Sequence, residues 1–102
     1  MTLPDWLDSR RPAPPPTLRA HLDRRVPPAS RGGGEGGALS DHLAAAGRDL
    51  LERVLSHPAA GRDLALDLLA ADALVTYAFE AQAEEDPGRL VELARRVAGG
   101  EP

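Results

Sequence analysis

AAGRDLLERVLSHPAAGRDLALDLLAADALVTYAFEAQAEEDPGRLVELARRVA, residues 45–98, is the stretch whose spacing decides the fold. The hexapeptide AAGRDL stands at 45–50 and again at 59–64. From Leu39 onward Leu43, Gly47, Leu50, Leu51 and Val54 fall on one helical face, with Ala46 and Leu55 at its edges. Asp41, Arg48, Asp49, Glu52, Arg53 and Ser56 fall on the other. This period predicts an amphipathic helix over about 40–56, with Ser40 as its N-cap. Pro58 ends that helix, since a proline ring removes a helical hydrogen bond and clashes with the preceding turn. It also suits the first position of the next.

The second helix is expected over about 58–85 and differs in kind. Leu64, Leu68, Ala71, Val75, Ala78 and Phe79 form one apolar face, and Leu66, Leu69, Ala70, Ala73 and Tyr77 form another. A helix apolar on two sides is buried on two sides, so this one is the central element. Asp86-Pro87-Gly88 breaks the chain, with Asp86 placed as an N-cap and Pro87 at the first helical position. Leu90, Val91, Leu93, Ala94, Val97 and Ala98 define a third helix over about 87–98, closed by Gly99–Gly100. The fold class is all-α, a small three-helix bundle at 39–98 followed by a tail at 99–102. Two copies of a hexapeptide, with a proline between them, make neither a solenoid nor one continuous coiled coil.

Upstream, residues 1–38 read as a largely disordered Pro/Gly-rich arm. PAPPP at 12–16 favours polyproline II. Thr17–Val26 offers a short helix with Leu18, Leu22 and Val26 on one stripe, ended by Pro27–Pro28. PPASRGGGEGGA at 27–38 has the composition of a flexible linker. Against this background Leu3, Trp6 and Leu7 concentrate apolar mass, including the only Trp. Trp6 and Leu7 are therefore expected to dock, either on the bundle's own uncovered face or on a partner.

Composition sets aside several functions. The chain has no Cys, Lys, Ile or Asn, and all 12 cations are Arg, the usage of a high-GC genome. Lack of Cys excludes a disulfide scaffold, Cys-ligated metal sites and a thiol nucleophile. Residues 1–38 carry six Arg against four acids and residues 39–102 six Arg against twelve, together the net −4 of the chain. An acidic folded part argues against nucleic acid as a partner, because such binding depends on neutralising phosphates. Met1–Arg10 carries Asp5 and Asp8 and no apolar run of a signal peptide. No stretch approaches the roughly 20 apolar residues of a membrane span, and a cytoplasmic location is expected.

The residue constellations that carry chemistry are sparse. His21, His42 and His57 stand in no HExxH or Glu-x-x-His spacing. Asp63 and Asp67, four apart, share a helix face suited to a hard cation. A solvated face paired with Arg62 or Arg89 is the simpler account. Glu84-Glu85-Asp86 reads as a solvated helix end, no Ser has a nucleophile-elbow context, and GGGEGG follows no strand and precedes no Lys. No residue is assigned a catalytic, cofactor-binding or metal role.

Leu68–Glu80, LLAADALVTYAFE, resembles the helix that follows the first aspartate-rich motif of the all-α trans-isoprenyl diphosphate synthases, often LAGDALLTYAFE. The likeness covers about residues 68–98 and includes Asp72, which matches an aspartate of that helix. It concerns packing positions; the DDxxD motifs, the Arg pair after the first of them and the diphosphate-binding lysines are absent from this chain. The resemblance implies an accessory or degenerate synthase-like subunit that binds an isoprenoid, in a slot lined by Leu66, Leu69, Ala73 and Tyr77, or a full-length synthase. From the residues themselves the expectation is a non-enzymatic protein-interaction domain. Its partner is a second copy or another helical protein, and the interaction residues are Leu66, Leu69, Ala73, Tyr77, Trp6 and Leu7.

Overall fold

A computed structural model describes residues 3–26, 38–56 and 61–99. Among them the chain is all-α, with five helices instead of the expected three: α1 (Leu3–Asp8), α2 (Pro16–Arg25), α3 (Leu39–Ser56), α4 (Arg62–Glu85) and α5 (Leu90–Val97). The glycine-rich segment 31–37, Pro58 and the last residues of the tail lie outside the described residues.

α3 and α4 form an antiparallel pair, with Ser40 beside Gln82 and Glu85, and Gly47 against Leu74 and Val75. Leu43, Leu50 and Leu74 are buried between them, with Ala44, Ala46, Ala71 and Ala78. Small residues let the two backbones approach. A Cβ added at Gly47 would stand 2.9 Å from Val75 Cγ2 and 3.3 Å from the Val75 backbone nitrogen. The first AAGRDL therefore supplies a glycine where α3 packs tightly against α4.

The second copy behaves differently. Gly61 sits at φ 75°, ψ −143°, outside helical geometry, so α4 begins at Arg62 and not at 58. Ser40 is likewise not an N-cap. It lies inside α3, buried, and its Oγ donates to Glu85 Oε1 at 2.6 Å while its backbone N–H donates to Glu85 Oε2 at 3.2 Å. Glu85 thus satisfies an orphan donor at the start of α3 from the end of α4.

Asp86 does act as a cap, accepting from the Gly88 N–H at 3.0 Å. The turn Pro87–Arg89 is a single 3₁₀ turn, and α5 follows at Leu90 instead of starting at 87. Leu93, fully buried, seats α5 on the α3–α4 pair. Arg96 pairs with Asp41 at 2.7 Å, and Arg48 Nη1 donates to the Arg96 carbonyl at 3.0 Å. At eight residues, α5 extends about 12 Å. Through Arg96 it is tied to α3 at Asp41 and Arg48, short of that helix's last two turns.

α1 and α2 fold back onto the opposite flank of α4. Leu3, Trp6 and Leu7 of α1 are buried, as are Leu18 and Leu22 of α2 and Val26 just beyond it. Arg19 bridges the two helices through Asp8 at 2.7 Å and closes on Asp23 within its own helix.

Candidate functional site

The six residues singled out for interaction divide sharply. Trp6 and Leu7 are buried inside the chain's own structure. The Trp6 ring meets Tyr77 edge-on, centroids 5.6 Å apart at 81°, a favourable aromatic geometry. Its Nε1–H donates to Glu84 Oε1 at 3.0 Å. Arg10 lies over its other side, with Cζ 3.9 Å from the ring centre, and pairs with Glu84 at 2.8 Å and Glu80 at 3.5 Å. Ala73 and Tyr77 are half-buried beside this cluster, Leu66 is half-buried, and Leu69 remains 47% exposed. The face expected to meet a partner, or to offer an isoprenoid an open slot, carries Trp6.

Glu84, Glu85 and Asp86 are exposed, as expected of a solvated helix end, but the Glu84 carboxylate is also the partner of Trp6 and Arg10. The Trp6 hydrogen bond, with help from Arg10, holds its carboxyl below the usual range. Asp67 is not paired with Arg62 or Arg89. It accepts from Arg25 Nε at 2.9 Å and Nη2 at 3.3 Å, and lies 2.6 Å from the buried His21 Nε2. Arg24 Nη2 is 3.2 Å from His21 Nδ1, so the tautomer with hydrogen on Nε2 satisfies both contacts. Burial pushes the Asp67 carboxyl up. The hydrogen bonds from His21 and Arg25 outweigh that and hold it below its ordinary value. With both ring nitrogens engaged, His21 is a fastener of α2 to α4. Among the described residues no three His, Asp or Glu side chains gather in a way fit to hold a metal ion.

Among the described residues the other flank of α4 is open. A groove of about 370 Å³ runs between α3, α4 and α5, lined by Gly47, Arg48, Leu51, Leu68, Ala71, Asp72, Val75 and Val97. Arg48 and Leu51 lie three apart on α3, and Leu68, Ala71, Asp72 and Val75 follow i, i+3, i+4, i+7 spacing on α4, so each set shares one helix face. Leu51 is 42% and Leu68 44% exposed, and Leu55, one turn beyond Leu51, is 74% exposed. Sequence spacing assigned all three to internal packing of the bundle. Among the described residues they remain outside, and α5, which ends at Val97, does not cover them. The readable signal was the brevity of that last helix.

A smaller cleft of about 290 Å³, lined by Arg10, Arg11, Asp72, Thr76, Tyr77 and Glu80 among others, lies along the seam between the N-terminal arm and α4. Its charges are mixed, and Arg10 is already engaged by Glu80 and Glu84.

No protein-family model, no curated protein and no solved structure matches this chain. Among the described residues no helix is long and apolar enough to cross a membrane.

Proposed function

We propose that this chain is a helical protein-interaction domain whose contact surface is the α3–α4–α5 groove and not the Leu66–Leu69–Ala73–Tyr77 flank. The observation that carries this reading is that Leu51 and Leu68, 42% and 44% exposed, line one groove between two packed helices, with Leu55, 74% exposed, one turn beyond Leu51. Scattered exposed leucines need no explanation, but a contiguous apolar groove with a charged rim is the usual form of a helix-binding surface. Its role is binding, not catalysis. His21, Asp67, Glu84 and Glu85 each hold one helix to another.

The test is photocrosslinking in the native cell. A benzoylphenylalanine placed at 55 or 68 is expected to yield a discrete protein adduct, whereas one placed at 69 is not. Equal labelling at all three positions, or none at 55 and 68, would contradict the assignment of the surface.

A further inference from the structure

Resting on that reading of the groove, we infer that its occupant is a second copy of this chain, docked about a two-fold axis. Two features of the same surface favour self-recognition. Leu55, 74% exposed, projects one turn beyond Leu51 on the same face of α3, and Leu51 lines the hollow with Leu68 and Val97. In an isologous contact each copy's projection enters the other's hollow, so knob and hole on one patch are what a two-fold requires. The rims carry opposite charges on facing helices, Arg48 on α3 and Asp72 on α4. A two-fold that lays α3 of one copy along α4 of the other brings Arg48 to Asp72 twice. α1 and α2 take no part, since Leu3, Trp6, Leu7, Leu18 and Leu22 are already buried on the opposite flank.

Sedimentation velocity of the full chain, from roughly 1 µM to roughly 1 mM, reads the outcome. The expected result is a shift from monomer to dimer that stops at two copies, because an isologous contact is closed. Arg48→Glu and Asp72→Arg should each weaken the dimer on the order of tenfold through like-charge opposition. An equimolar mixture of the two variants should restore it. In the mixed dimer the introduced carboxylate faces the introduced guanidinium, and the native Asp72 of one copy faces the native Arg48 of the other. A general loss of structure would not be rescued in this way. Arg48 also holds the end of α5. If Arg48→Glu loosens the fold, Leu55→Asp decides instead, and it must abolish the dimer while leaving the circular dichroism spectrum unchanged. A monomer across the whole range, indifference to Asp72→Arg and Leu55→Asp, or no rescue on mixing by two folded variants would overturn self-association. Crosslinks from 55 and 68 to a different protein would then leave the groove standing as a surface, and their absence would remove both readings.

Discussion

The two flanks of α4 are built from different chemistry. The flank under α1 and α2 joins apolar burial to directional contacts: an indole hydrogen bond, an edge-on aromatic pair and a bidentate arginine on Asp67. The flank facing the groove has only aliphatic side chains and two rim charges. Hydrophobic burial is non-directional, and polar contacts fix which segment docks and in what register. A flank closed by the chain itself needs that fixing once, permanently. A flank left for association is better served by a shallow apolar surface that can be wetted between encounters.

The largest expected effect lies on the closed flank. Trp6→Ala should cost about 3 kcal/mol in urea unfolding, as for other buried aromatics, and leave Glu84 without its indole donor. A cost no greater than that of Leu69→Ala would mean the flank is not closed. In the dilute wild-type chain the emission of this single Trp should be blue-shifted.

Next in size is Asp67→Ala, expected to cost about 2 kcal/mol by removing a charged acceptor shared by His21 and Arg25. The Asp67 carboxyl is held below its ordinary value in the folded chain. Its contribution is therefore full above that ordinary value and lost as pH falls through the depressed one. The Trp6 blue shift should accordingly survive at neutral pH and fade only in acid below the ordinary carboxylate range. Glu84, whose carboxyl is also held low, reinforces that direction.

A smaller effect separates the two hexapeptides. Gly47→Ala should destabilise by about 1 kcal/mol, because overpacking at the helix crossing outweighs alanine's better helix propensity. Gly61→Ala meets no neighbour within 4 Å, yet should cost a similar amount through its positive φ alone. The two differ in rescue: Val75→Ala should relieve the first and leave the second unchanged.

Much of this was legible in the residue order, and the exceptions share a cause. Periodicity marked α3, α4 and α5 because a helix writes its own spacing into the chain. The docking of α1 joins Trp6 to Glu84, 78 residues apart, and no local pattern encodes such a pairing. The apolar character of Leu3, Trp6 and Leu7 announced a docked segment without naming its seat. The second hexapeptide was misleading for a local reason. The letters of AAGRDL permit both an interior glycine and a glycine at positive φ, and only the surrounding chain selects between them. The open groove was hidden because Leu51 and Leu68 obey the helical period perfectly well; what they lack, among the described residues, is a neighbour that covers them.

The central claim is that α4 is closed on one side by its own chain and associates through the other. A pair of substitutions tests it directly. Leu55→Asp and Leu69→Asp each place a charge at an exposed leucine, on the groove side and on the arm side respectively. Sedimentation velocity at matched high concentration is predicted to show Leu55→Asp as a folded monomer and Leu69→Asp as a dimer like the wild type. A dimer that survives Leu55→Asp and dissociates with Leu69→Asp would contradict the account.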